Sequence, residues 1–207
     1  MIPAVHRWAT NAELIYDAYQ LGYVSGRVLD ATPGERGLWW DRFEPGEIEL
    51  TLNPGWDFTA LPFGAETFDT VAYDPPYKFN GNPHGLPDLS RRYGVDIPAR
   101  WQDRMKLILD GAKGCARIVK VGGHLLVKCQ DQVVSGKMRW QTDEITRLLE
   151  TRGMRKVDRF DLIGHSIPQP MKGRRQRHAH GRGSTLLVFR REKSHSHEQD
   201  ESWKQIR

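Results

Sequence analysis

The chain has 207 residues, enough for one domain with a full hydrophobic core. Its two cysteines, Cys115 and Cys129, exclude a disulfide framework and neither belongs to a CxxC pair; with no N-terminal apolar segment and no long apolar run, a reduced cytoplasmic protein outside the membrane is expected. A formal charge of +5 and a pI near 9.3 suit a polyanionic partner.

Leu14, Ile15, Ala18 and Leu21 share one face of Asn11 to Leu21, which predicts an amphipathic helix capped by Asn11. Gly26 to Asp30 reads as a short apolar strand ending in an acid, followed by a loop that carries Ala31, Thr32, Gly34 and Gly37. Such a loop lets a bulky ligand approach the backbone, and the acid can hold an amino group on it. Trp39 and Trp40 come next; a ring there can line the ligand pocket, although burial in the core is the commoner use of tryptophan. Glu47 to Leu52 reads as a second strand and Trp56 to Phe63 as an acid-aromatic loop. Thr67 to Tyr73 then forms a strand that runs into Asp74-Pro75-Pro76-Tyr77.

Lys78 to Arg100 is rich in Gly, Pro, Asn and charge and lacks an apolar period, so it reads as a long loop without a stable element. It is either a lid over a substrate, with Lys78, Phe79, Arg91, Arg92 and Tyr93 as contacts, or a surface loop. Trp101 to Val119 predicts a helix with Met105, Ile108, Leu109 and Ala112 facing the core. Val121 to Asp131 and Ser184 to Arg190 complete the apolar segments. From Leu162 to Arg191 there is no acid at all, and Lys172, Arg174, Arg175, Arg177 and His178 fall in a loop between two strands. That loop is suited to phosphate contacts, against the simpler reading of a solvated charge run. His178 and His180 lack a cysteine pair or third ligand at workable spacing, so no metal is expected. Glu192 to Arg207 is polar and reads as a disordered tail after a domain of residues 1–191.

The chemistry concentrates at Asp74-Pro75-Pro76-Tyr77. Asp74 can accept one N–H of an exocyclic amine, the Pro75 carbonyl can accept the other, and the Tyr77 ring can stack on the base that carries it. The prolines fix φ and offer no backbone donor of their own, which holds the turn. A nucleobase amine is a poor nucleophile because its lone pair is delocalised. Two acceptors on its hydrogens aim that lone pair at an incoming methyl group, which is catalysis by positioning and electrostatics. The alternative is an ordinary turn closing a buried strand.

The order of strand, glycine loop, strand, acid-aromatic loop, strand and Asp-Pro-Pro-Tyr resembles the S-adenosylmethionine-dependent amino-methyltransferases. Within that family it is most similar to small actinobacterial and phage-type members that look like DNA adenine methylases, over Asn11 to Arg191. The resemblance implies an α/β Rossmann-like class I fold, with a mostly parallel sheet and a C-terminal antiparallel strand. It implies S-adenosylmethionine bound by Asp30, Ala31, Thr32, Gly34, Gly37, Asn53, Asp57, Phe58 and Asp74, with Asp57 on the cofactor adenine amine and Phe58 beside that ring. Catalysis would fall to Asp74, Pro75, Pro76 and Tyr77. The chain departs from the family in separating Gly34 from Gly37 by two residues and in carrying Asn53 where an acid usually meets the cofactor ribose.

The implied activity is methylation of adenine N6 in DNA, since Asp at the first motif position is the form more typical of adenine-specific members. The alternatives are an RNA or cytosine-N4 methyltransferase, or a catalytically inactive nucleic-acid-binding relative. The lack of a separate recognition domain implies a short or loosely defined target sequence.

Overall fold

The computed structural model describes residues 1–34, 38–79, 85–164 and 183–193. Strands β1 (Val5–His6), β2 (Arg27–Asp30), β3 (Glu49–Leu52), β4 (Phe68–Tyr73), β5 (Val119–Cys129), β8 (Met154–Ile163) and β9 (Gly183–Arg191) form one seven-stranded sheet. Its order is β1-β8-β9-β5-β4-β2-β3. Every pairing is parallel except those of β9, which runs antiparallel to both β5 and β8. This is the Rossmann-like class I methyltransferase architecture, with the antiparallel strand near the C-terminus as expected.

The central strands read as apolar runs because both faces of the sheet are covered. Leu29, Val71, Tyr73, Leu125 and Val127 point into one core, built with Met105 and Ile108 of α3 (Trp101–Ile118) and Ile145 and Leu149 of α4 (Gln141–Glu150). Val28, Ala72 and Leu126, one residue out of phase, point into the other, built with Leu14, Ile15 and Ala18 of α1 (Asn11–Gln20). The period of two therefore assigns side chains at the strand ends. Asp30 follows Val28 by two and Lys128 follows Leu126 by two, so both lie on the α1 face.

Between β2 and β4 the order of strands reverses, since β2 continues outward to β3 while β4 continues the other way to β5. A crevice opens at the carboxyl ends of such a pair. Register sets its walls: Asp30 lies opposite Ala72, and Tyr73 opposite Val127.

Several elements differ from expectation. Thr10, not Asn11, caps α1, its Oγ1 accepting the Glu13 N–H at 3.2 Å. The stretch 78–100 is not structureless: Leu86–Tyr93 forms helix α2, with Pro87 in its first turn and Gly94 as a left-handed C-cap at φ 67°. A hairpin of β6 (Gln132–Val134) and β7 (Lys137–Arg139) turns at Ser135 and Gly136, both at positive φ (51° and 75°). In β8 a register shift between Lys156 and Asp158 breaks the alternation that would mark it as a strand. The proposed tail lies outside the described residues from 194 onward. Among the described residues, no helix is long and apolar enough to cross a membrane.

Candidate active site

Asp30, at the end of β2, is 2% exposed, and its two oxygens accept from the Thr32 N–H at 3.0 Å and the Trp40 Nε1–H at 2.8 Å. Trp40 is thus a core residue that also orients the acid. Burial raises the Asp30 pKa from 3.8 to about 7, against the two hydrogen bonds that favour the charged form and with a further push from the Asp74 charge. Thr32 then reaches across the crevice, where its Oγ1 accepts the Asp74 N–H at 2.6 Å.

Gly34 takes φ +64°, and a Cβ there would meet nothing within 4 Å, so the loop lies open beside the backbone. A cleft of about 280 Å³ is lined by Ala31, Thr32, Gly34, Asn53 and Gly55 on one side and by α2 through Arg91, Arg92 and Tyr93 on the other. The three α2 residues expected against nucleic acid border the cleft beside the glycine loop. Gly94 brings α2 down onto the next loop, since a Cβ at this residue would lie 2.6 Å from the Gly55 carbonyl oxygen. Gly37 lies outside the described residues.

Two cofactor assignments need correction. Asn53 Nδ2 donates to the carbonyls of Ala31 at 2.8 Å and Trp56 at 2.9 Å, while Oδ1 accepts from the N–H groups of Gly55 at 2.9 Å and Trp56 at 2.6 Å. An amide has two donors and two lone pairs on its oxygen, so this side chain is fully committed and shapes the loop instead of binding a hydroxyl. Phe58 is fully buried against Tyr73, their ring centroids 5.5 Å apart, and its ring presents no face to a ligand. Asp57 is exposed, with Oδ1 held by the Thr59 N–H at 2.8 Å and hydroxyl at 2.7 Å.

Asp74 follows β4 into the crevice, with Pro75 and Pro76 buried behind it. The Asp74 side chain is 19% exposed; its Oδ2 lies 3.9 Å from Lys128 Nζ, and its Oδ1 is buried with no hydrogen-bond partner. Burial raises its pKa, opposed by the charges of Lys128 and Lys78. The Pro75 carbonyl is not left clear, because it accepts the Tyr77 N–H at 2.7 Å. This i to i+2 bond is a γ-turn, and the oxygen retains one lone pair for a second donor. The Tyr77 carbonyl takes amide hydrogens from Gln132 at 2.8 Å and Gln141 at 2.6 Å, so β6 and α4 lock the turn from below. The Tyr77 hydroxyl is bonded to Ser184, and burial pushes its pKa upward.

Phe79 is buried beside Trp101 and is not a surface contact, whereas Lys78 is exposed. Arg104, 4% exposed, bonds the Pro98 carbonyl through Nε at 2.9 Å and also binds that of Lys78. A second cleft, about 310 Å³, is lined by Trp8, Thr10, Asn11, Lys128, Ile163 and Ser184. Lys172, Arg174, Arg175, Arg177, His178 and His180 lie outside the described residues. Among the described residues no group of three His, Cys, Asp or Glu is placed to hold a metal. The sequence offers Trp40 as a pocket or core residue without its bond to Asp30, while Gln132, Gln141, Arg104 and Lys128 are not among the expected site residues. Of these four, Lys128 alone carries a sequence signal, as a lone charge in the run Leu125-Leu126-Val127-Lys128-Cys129.

No family model matches the sequence, and no curated protein matches it either. Solved structures do match in shape. The N-methyltransferase NodS from Bradyrhizobium japonicum WM9 aligns with a TM-score of 0.51 at 15% identity, over 88% of this chain and 94% of that one. A candidate methyltransferase from Bacillus halodurans C-125 aligns with a TM-score of 0.51 at 12% identity, over 90% of this chain and all (100%) of the other. At such identities the likeness establishes the fold, and function rests on the site.

Proposed function

We propose that the chain is an S-adenosylmethionine-dependent methyltransferase acting on the N6 amine of adenine in DNA. The observation that carries this reading is Asp74 Oδ1, a buried acceptor without a donor, beside the switch-point crevice. An unsatisfied buried oxygen is costly, and an amine N–H from a substrate would satisfy it. The remaining lone pair of the Pro75 carbonyl would take the second amine hydrogen, and Tyr77 would stack on the ring once the base has left the duplex. The target ring is assigned to the second cleft, whose Lys128 and Ser184 adjoin Asp74 and Tyr77.

The residues beside the glycine loop fit the cofactor. Asp30 would hold an amino group, the open backbone at Gly34 would admit a bulky chain, and Asp57 would accept from an adenine amine. When bound, S-adenosylmethionine supplies an electrophilic methyl group. The amine nitrogen ends with one carbon more and one proton fewer, and Asp74 is the group poised to receive that proton on its way to water. The basic segment around Arg174, Arg175 and Arg177, with its lack of acids, supports a nucleic-acid partner.

The test is incubation with labelled S-adenosylmethionine and either DNA or RNA, followed by nucleoside mass spectrometry. N6-methyladenine in DNA is expected; a methylated cytosine or an RNA product would reassign the substrate. Asp74→Ala should abolish the product while the protein still folds and binds the cofactor by calorimetry. Parental turnover in that variant would reduce Asp-Pro-Pro-Tyr to a turn and sink the reading.

A further inference from the structure

Lys128 occupies an unusual place for a lysine. It is the penultimate residue of β5, only 6% of its side chain is exposed, and four side chains converge on its ammonium. Asn11 Oδ1, from α1, accepts from Nζ at 2.7 Å, and Asp74 Oδ2 lies at 3.9 Å. The rings of Trp39 and Tyr77 lie 5.4 and 5.8 Å from Nζ, at cation–π range. An isolated ammonium in such a place would lose its proton or disrupt the fold, so its charge needs these partners.

The relationship runs the other way as well. Asp74 is held in a crevice that disfavours its charged form. Facing it are Lys128 from β5, Lys78 beyond the turn, Asp30 at the end of β2, Tyr77, Cys129 and Tyr93 of α2. Lys128 and Lys78 are the cations of that set, and Lys78 is exposed. A protonated carboxyl would offer a hydroxyl to the amine in place of a lone pair, and two donors facing each other repel.

We propose that Lys128 is the positioning residue of the site: anchored by Asn11, its ammonium keeps Asp74 as an acceptor-only carboxylate that can receive the substrate amine. This rests on the amine-methyltransferase reading above.

The experiment is a pH titration of the Asp74 carboxyl carbon by 13C NMR in the unaltered chain and in Lys128→Met, with Asp74→Asn identifying the resonance. The midpoint should rise by at least one pH unit in Lys128→Met, and the acid limb of the methylation rate should rise with it. Activity lost near neutrality would then return as the pH is raised. An unmoved midpoint overturns the proposal, and so does a moved midpoint with an unmoved acid limb, because a merely structural lysine would leave the limb in place. Should Lys128→Met fail to fold, Asp74→Asn reports from the other side: the Lys128 Nζ titration should fall to lower pH, and an unchanged value overturns the pairing. Absence of any methyl transfer by the unaltered chain sinks the enzyme reading instead, and the two NMR titrations still decide the pairing.

Discussion

Thr32 Oγ1 accepts the Asp74 backbone N–H at 2.6 Å, so the loop after β2 and the turn after β4 are joined by one hydroxyl. The same residue donates its own N–H to Asp30 at 3.0 Å. The two acids at the switch point therefore share a single intermediary.

Thr32→Val keeps the shape and removes the acceptor. It should lower stability by about 1 kcal/mol in urea denaturation and slow methyl transfer, whereas Thr32→Ser should retain both. Equal behaviour of Val and Thr would mean that the hydroxyl does not couple the two loops.

Asn53→Asp separates loop shaping from cofactor binding. If the acid usual in the amino-methyltransferases that the sequence resembles were simply missing here, Asp would strengthen cofactor affinity. The amide instead donates to the Ala31 and Trp56 carbonyls, which a carboxylate would repel. The variant is expected to lose roughly 1–3 kcal/mol of stability and to bind the cofactor more weakly by calorimetry. Tighter binding would restore Asn53 to the ribose role.

Asp30 makes stability depend on pH in a defined sense. Its pKa is raised on folding from 3.8 to about 7, so the folded state favours the protonated form. Its contribution is fully present below the unfolded value and is lost as pH rises through about 7. Asp30→Asn cannot ionise, so its melting temperature relative to the parent should climb between about pH 4 and about pH 8. A flat difference would show that burial does not hold the acid's proton.

Gly94→Ala should act on the cleft that α2 shares with the glycine loop. The residue has φ +67°, and the added carbon would lie 2.6 Å from the Gly55 carbonyl oxygen, so α2 must lift. Gly153→Ala provides the control, with φ +73°, no neighbour within 4 Å and a place away from the cleft, and carries only backbone strain. Calorimetry should show a larger loss of cofactor affinity for Gly94→Ala than for Gly153→Ala. The reverse order would remove α2 from the binding site.

Replacing Arg174, Arg175 and Arg177 with Ala should weaken nucleic-acid binding across sequences and flatten its salt dependence, since each lost phosphate contact reduces counterion release. Cofactor affinity should not change. A salt slope equal to the parent's would make the segment a solvated surface.

The strands carrying Asp30 and Tyr73 were legible because each is an apolar run ending at a polar residue, and burial on both faces writes that pattern directly into sequence. The closing strand follows from the resemblance and lies where expected, at Gly183–Arg191. What sequence concealed was side chains acting across long separations. Asn53 resembles a ligand until its four bonds are counted, and Gln132 and Gln141 gain meaning only when folding sets both against Tyr77. Helix α2 was hidden for another reason: none of its residues is buried, so it carries no apolar stripe for periodicity to find.

Arg104 gathers the carbonyls of Lys78 and Pro98, so one guanidinium rooted in α3 ties the exit of the Asp74 turn to the segment that follows α2. A displacement of α3 is thereby felt at both places together. The wall that α2 gives the cleft beside Gly34 and the chain that leaves Tyr77 cannot be adjusted independently of each other.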